Sequence, residues 1–534
     1  MIESPGVSLA GLVSGLGDEA AARLDDAELV SSIEALERAK AACAAAQARL
    51  TARFVASQAA QAQRLRQVAQ ACSAAGDFDG WVAARDRARA LELPADPGSG
   101  AGRGGGRDGS SSTSSSGSSS GSRRRRAAAV AARTGVSAQV GLARHESPAR
   151  GARLARLAVT LVEDLPHTLA ALTAGRLSER RAELVAAGTS HLSRELRVAV
   201  DAQVIGANLP AGEDPPATGV AGWGDREVER RVRACADRLD AAAAVERARV
   251  AESARRVTVR PVPDTMAIVS AVLPVAQAVA VRAALQQAAA AARAAGDQRC
   301  RGQVMADTLV ERVTGRACAD DVDLEVQVVI TDRALFAGDD TPAQVPGYGP
   351  VPAGWVRDLL SRDLPTSEEH GHPGRDGPRE ARMWLRRLYT HPGTGTLVAM
   401  DSTRRLFPAG LRRYLLARDG VCRTPWCDAP IRHADHVRPH ASGGPTSAAN
   451  GQGLCVACNL TKDLPGWSSR VADPGPTAGS STPHTVHIAT PTGHQYASTA
   501  PPLLPGLVEP QPTATGPEAS PSPIERWLTE QLAA

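Results

Sequence analysis

Four cysteines in two close pairs, Cys422/Cys427 and Cys455/Cys458, carry the clearest chemistry in the chain. Short-spaced pairs are how a small unit presents four thiolates to one tetrahedral zinc ion; two disulfides or buried free thiols are the other readings of that spacing. Between the pairs stand Asp435-His436 and Asn450, and Asn459 directly follows the last cysteine. A carboxylate, an amide oxygen and a base close together are what metal-assisted phosphodiester hydrolysis requires, though a hydrogen-bonded Asp-His pair on a structural knuckle uses the same residues. Consecutive helical residues point about 100° apart, so Cys458 can face zinc while Asn459 faces an adjoining cleft. Histidine suits the base because its unperturbed pKa lies near neutrality. His433 shares a strand face with Asp435. His440 reads either as a phosphate or metal contact or as a solvent-facing loop residue.

Charge sharpens this reading locally rather than globally. The chain of 534 residues carries a net charge of only +4. Between residues 401 and 470, however, ten basic side chains stand against five acidic ones, as a phosphate-binding surface needs. Arg432, Arg438 and Lys462 flank the candidate site and read as grips on neighbouring phosphates, giving position without sequence.

The elements that must position these residues are mostly helical. Aromatics make up 3 % of the chain, so a core of Ala, Leu and Val on helices is expected. The length calls for two or three domains. Residues 1–93 hold N-terminal helices, with Leu29, Ile33, Leu36 and Cys43 at helical spacing. Residues 94–126 form a Gly/Ser/Arg linker with nothing to bury, expected to be disordered and closed by Arg123 to Arg126. Residues 127–365 read as a helical region with a small sheet, including strands at Val257 to Val262, Met266 to Ser270 and Val322 to Ile330. Residues 380–470 contain the cysteine motif, with its core at 411–467 and a hairpin at 384–400 leading in. Residues 471–534 give a hairpin around Pro491-Thr492-Gly493, a Pro-rich tail and a helix at Ile524 to Leu532. Met1 to Gly17 lacks the pattern of a secretory leader, and Met266 to Ala292 is too interrupted for a membrane span. Cys43, Cys72, Cys235, Cys300 and Cys318 are expected as small buried hydrophobes, and all nine cysteines suit a reducing cytoplasm.

The run Arg418-Asp419-Gly420-Val421-Cys422, Cys427, Asp435-His436-Val437, Gly443-Gly444-Pro445-Thr446, Asn450, Leu454-Cys455, Cys458-Asn459 and Lys462 resembles an HNH endonuclease motif. Upstream, Leu165-Pro166 with Ala174-Gly175, Asp297-Gln298-Arg299 through Asp307, and the turn from Gly347 to Pro352 resemble actinobacterial proteins in which a domain of unknown function, numbered 222, precedes such a nuclease. The resemblance implies a zinc-stabilised ββα-metal (His-Me finger) unit. Its strands would lie near Ile431 to Val437 and Gly451 to Leu454, with a helix from about Cys455. It further implies His436 as general base, Asn450 fixing the loop, and Asp435 and Asn459 as ligands of a catalytic Mg²⁺ or other divalent ion. Cys422, Cys427, Cys455 and Cys458 would hold a structural Zn²⁺. The chain departs from the commonest fused pattern in having Cys458-Asn459 for His-His, and His433-Ala434 where an acidic or cysteine residue is frequent.

The expected function is metal-dependent hydrolysis of DNA, without a membrane partner. The alternative is a zinc-stabilised DNA-binding protein that does not cleave. The helical region is left to supply DNA contacts, a protein partner surface or a homo-oligomer.

Overall fold

The computed structural model describes residues 21–93, 135–209, 219–315, 328, 330, 334–335, 338–345, 348–362, 406–472 and 484–501. The 94–126 linker, most of the Val322 to Ile330 strand, the 384–400 hairpin, Cys318 and the helix at 524–532 lie outside them.

Helix α1 (Asp26–Ala74) starts at a reciprocal cap: Asp25 accepts from the Glu28 amide and Glu28 accepts from the Asp25 amide. Its buried stripe is alanine, at Ala41, Ala44, Ala45 and Ala48, where small side chains let other helices approach closely. Ile33 and Leu36, expected on that stripe, are exposed because the first turns of α1 precede its packed part. Helix α2 (Phe78–Ala90) folds back along α1. Helices α3 (Gly135–Ala143), α4 (Pro148–Glu163), α5 (Pro166–Thr173), α6 (Glu179–Thr189), α7 (Arg194–Val200) and α8 (Asp225–Leu239) complete the body. Its core is built from residues such as Leu161, Leu165, Leu172, Val185, Ile205 and Val232.

Helix α7 continues into a π turn at Asp201–Ile205 that aims the buried Asp201 at the start of α5. There the carboxylate accepts from the amides of His167, at 2.7 Å, and Thr168, at 3.0 Å. Leu165 offers no side-chain cap of its own, so Asp201 supplies one from a distance. Burial raises the Asp201 carboxyl above its usual range, against those hydrogen bonds.

Helix α9 (Ala241–Ser253) leads to an antiparallel hairpin of β1 (Arg256–Val262) and β2 (Met266–Val272), as the alternation predicts. Helices α10 (Val275–Ala294) and α11 (Arg301–Thr314) pair with each other. Cys300, expected to be buried, is exposed because it sits at the start of α11, where Gln303 accepts from its amide. A short hairpin of β3 (Ala343–Val345) and β4 (Gly349–Val351) opens into α12 (Ala353–Arg362). Among the described residues, no helix is long and apolar enough to cross a membrane.

The C-terminal unit begins with α13 (Ala409–Asp419). Strands β5 (His433–His436) and β6 (Gly451–Leu454) then pair antiparallel, followed by the short helix α14 (Val456–Thr461). A three-stranded antiparallel sheet of β7 (Ser468–Val471), β8 (Thr485–Ala489) and β9 (Gln495–Thr499) backs it, with β8 central. The molecule is mostly helical with small sheets, ending in a unit of ββα type.

Candidate metal centre

Cys422 and Cys427 lie on the loop between α13 and β5, Cys455 caps the start of α14, and Cys458 sits in its first turn. All four are buried free thiols whose sulfurs lie within 4.8 Å of one another. Cys427 Sγ is 3.8 Å from Cys455 Sγ and 3.5 Å from Cys458 Sγ. These separations rule out disulfides in this structure. They match the edge of about 3.8 Å that four sulfurs around zinc at about 2.3 Å must have. Hydrogen bonds from the other three hold the Cys455 thiol far below its usual range, while Cys427 and Cys458 are pushed above it, first by their bonds to Cys422. A dication at the centre would stabilise all four as thiolates, so the donor set fits zinc.

Beside this cluster β5 carries Asp435 and His436 on opposite faces. The register sets His436 opposite Gly451 and Asp435 opposite Gln452. His436 is buried, with Nε2 2.9 Å from Thr446 Oγ1. The Phe407 ring packs 4.5 Å from its imidazole, and the exposed His440 ring meets it edge-on at 5.6 Å.

Asn450 clasps the intervening loop. Its Oδ1 accepts from the Arg438 amide at 2.9 Å, while Nδ2 donates to the carbonyls of Arg438 at 3.0 Å and Pro445 at 2.8 Å. A Cβ on Gly444 would fall 2.0 Å from the Arg438 carbonyl oxygen, so only glycine lets the loop close this tightly.

Asp435 Oδ2 is buried and lies 2.7 Å from Lys462 Nζ. Lys462 also reaches Asp463 at 3.0 Å. Burial alone would lower the Lys462 pKa, but the bonds and charges of Asp435 and Asp463 outweigh it and the value is raised. The side chain expected to grip phosphate therefore has its ammonium on Asp435. Strand β5 packs against α14. On that helix Asn459 Oδ1 is buried and has no hydrogen-bond partner among the described residues. An orphaned amide oxygen and a carboxylate oxygen on packed neighbours are hard donors suited to a divalent cation.

Not all the positive charge around the motif faces solvent. Arg418 and Arg423 are buried on either side of the buried Asp419. Arg418 Nη1 donates to the Ala448 carbonyl at 2.7 Å and Nη2 to that of Gly451 at 2.8 Å. Asp419 Oδ2 accepts from the Gly453 amide at 2.7 Å, and Arg423 Nη2 donates to the carbonyls of His484, at 3.0 Å, and Ser498. This Arg-Asp-Arg group ties α13, the cysteine loop, β6 and the β8–β9 pair together. Burial pushes Arg423 down to about 10, against the attraction of Asp419. Arg432 and Arg438 remain exposed beside β5.

Trp426 lies between the first two cysteines. Its ring stacks on His145 of the helical body at 4.4 Å and meets Tyr496 edge-on at 5.9 Å. Close by, Thr492 Oγ1 donates to Gln139 Oε1 at 3.1 Å. Neither Trp426 nor Thr446 is assigned a role by residue type and spacing. The signal for Thr446 is its place at the end of the Gly443-Gly444-Pro445-Thr446 run.

Residues 421–463 match the family described as HNH endonuclease, which gives the class of the C-terminal unit: nuclease-type, with nucleic acid as its substrate. Residues 119–388, half of the chain, match the family described as Domain of unknown function (DUF222), and the chain belongs to that family. Comparison with curated proteins and with solved structures returns no match.

Proposed function

We propose that the C-terminal unit is a metal-dependent endonuclease hydrolysing phosphodiester bonds of DNA. The observation that carries this reading is the unpartnered buried Asn459 Oδ1 on the helix packed against the strand of Asp435 and His436. Asp435 and Asn459 hold a divalent ion such as Mg²⁺, which when bound offsets charge developing on the phosphate and the leaving oxygen. His436 takes the proton from the attacking water. Asn450 keeps the loop that carries Thr446 closed against the imidazole. The exposed Arg432 and Arg438 hold flanking phosphates. Cys422, Cys427, Cys455 and Cys458 hold zinc, which fixes α14 to the loop ahead of β5. Four free thiols in one cluster suit a reducing compartment, and we assign the protein to the cytoplasm.

One contact favours a second reading. Lys462 neutralises Asp435 at 2.7 Å, as it would in a zinc-held DNA-binding protein without cleavage.

Supercoiled plasmid incubated with the zinc-loaded protein and Mg²⁺ or Mn²⁺ separates the two. Wild type is expected to nick or linearise it. His436→Ala is expected to fall by at least about 100-fold, and EDTA to stop the reaction. Equal behaviour of wild type and His436→Ala under every divalent ion would leave DNA binding as the function.

A further inference from the structure

We propose that the segment Val322 to Ile330 docks antiparallel along the outer edge of β2 and turns the β1–β2 hairpin into a three-stranded sheet.

The hairpin is built for such a neighbour. Among the described residues β2 has one hydrogen-bonded partner strand, β1. A two-stranded hairpin alone is marginal in water, and a third strand or a covered face is what makes it stable. The two strands also differ in kind. β1 carries Arg256, Arg260 and Pro261, charges and a missing amide that suit the edge of a sheet. β2 has no charged residue on either face, which suits a central strand, yet all seven of its residues are exposed. The register gathers one wholly apolar face, with Val257 opposite Ala271, Val259 opposite Val269 and Pro261 opposite Ala267. On that face Val257 is 66 %, Val259 67 % and Val269 59 % exposed.

The chain itself supplies the occupant. Val322, Leu324, Val326, Val328 and Ile330 alternate with Asp323, Glu325, Gln327 and Val329. Helix α11 ends at Thr314, and residues 316–327, outside the described ones, lead from it to Val328. Fully extended, a stretch of that length reaches about 40 Å, more than the roughly 23 Å that β2 spans. Val328 and Ile330 pack against Ala343, Val351 and Val356, the core under the β3–β4 hairpin and α12. From the turn of that hairpin Tyr348 donates its hydroxyl to the Val262 carbonyl at 2.7 Å. Val262 lies at the turn end of β1, opposite Met266, where β2 begins. The segment thus ends in the unit that touches the start of β2, which gives the antiparallel direction. With its apolar side continuing the apolar face of the hairpin, Asp323 and Glu325 fall on the side that carries Arg256 and Arg260. The apolar and the charge patterns therefore agree on one placement.

Hydrogen exchange resolved to single amides, on zinc-loaded full-length protein, tests this. In an antiparallel pair, alternate β2 amides point at β1 and the rest point away. Wild type is expected to protect both sets. Val326→Pro and Gln327→Pro are compared because one of two consecutive positions must donate to β2. One of them is expected to speed exchange of the outward set at least about 10-fold while the set facing β1 stays protected. If both prolines also free the amides facing β1, Leu324→Ala, which only thins the apolar cover, is expected to release the outward set first. An outward set that exchanges in wild type at open-chain rates overturns the proposal. So does an outward set that no substitution in the segment affects. Protection that appears only in a dimer, by light scattering at rising concentration, would give the edge to a second copy and likewise overturn it.

Discussion

At the scale of single residues, Lys462 decides how the carboxylate beside His436 is used. Its ammonium lies 2.7 Å from Asp435 Oδ2, where a divalent cation held by that oxygen would compete with it. Removing the charge should therefore help the metal. Lys462→Gln is expected to tighten Mn²⁺ binding to zinc-loaded protein about 5-fold, the loss of a competing ion pair of ~1 kcal/mol, in a calorimetric titration. Unchanged Mn²⁺ affinity with weakened DNA binding would instead return Lys462 to the role of a phosphate contact. The four cysteines were legible from the sequence because spacing alone restricts what they can ligate, and the structure does bring their sulfurs together. The use of each arginine was not. Arg418 and Arg423 have the same residue type as Arg432 and Arg438, and only the burial of Asp419 between the first two makes them internal ties rather than surface charge. No local pattern encodes that burial.

At the scale of elements, the loop between β5 and β6 sets the geometry, and its two glycines have different duties. Gly443 has φ +80°, a left-handed conformation, but the nearest atom to an added Cβ is the flexible end of Arg438 at 3.5 Å. Gly444 has no room: a Cβ there meets the Arg438 carbonyl oxygen at 2.0 Å and Asn450 Nδ2 at 2.8 Å. Gly443→Ala should thus cost only backbone strain, about 1 kcal/mol. Gly444→Ala must open the Asn450 clasp and should cost on the order of 2–4 kcal/mol, through overpacking plus lost buried hydrogen bonds. Urea unfolding of the zinc-loaded proteins gives both values, and equal losses would show that the clasp is not what requires glycine at 444. Strands β5 and β6 were expected through the resemblance to the HNH motif, which places them near Ile431 to Val437 and Gly451 to Leu454, where the antiparallel pair is found. The buried stripe of α1 was misplaced for a physical reason. Ile33 and Leu36 are more apolar than Ala41, Ala44 and Ala45, yet burial follows where other helices come close enough, and the alanines permit that approach.

At the scale of the whole molecule, the cysteine loop also serves as the contact between the nuclease-type unit and the helical body. Trp426 has φ +59° and His145 φ +54°, both left-handed and both non-glycine, and their rings stack at 4.4 Å with Tyr496 meeting Trp426 edge-on. Backbone conformations of this kind persist only where surrounding contacts over-determine them, so the stack and the cysteine loop support one another. Nothing in the sequence singled out Trp426, because its partner at His145 lies far away along the chain and has no counterpart in local spacing. Replacing Trp426 with Ala removes stacking worth about 1 kcal/mol while leaving every cysteine in place. The variant is expected to retain one zinc per chain by metal analysis. It should nevertheless show a larger radius of gyration than wild type by small-angle scattering, because the two units are no longer held face to face. His145→Ala should give the same expansion, since it deletes the other half of the same stack. A scattering curve unchanged in both variants would mean that the remaining contacts, such as Thr492 with Gln139, suffice to hold the units together. Loss of zinc in Trp426→Ala alone would place the tryptophan in the folding of the metal loop rather than at the junction.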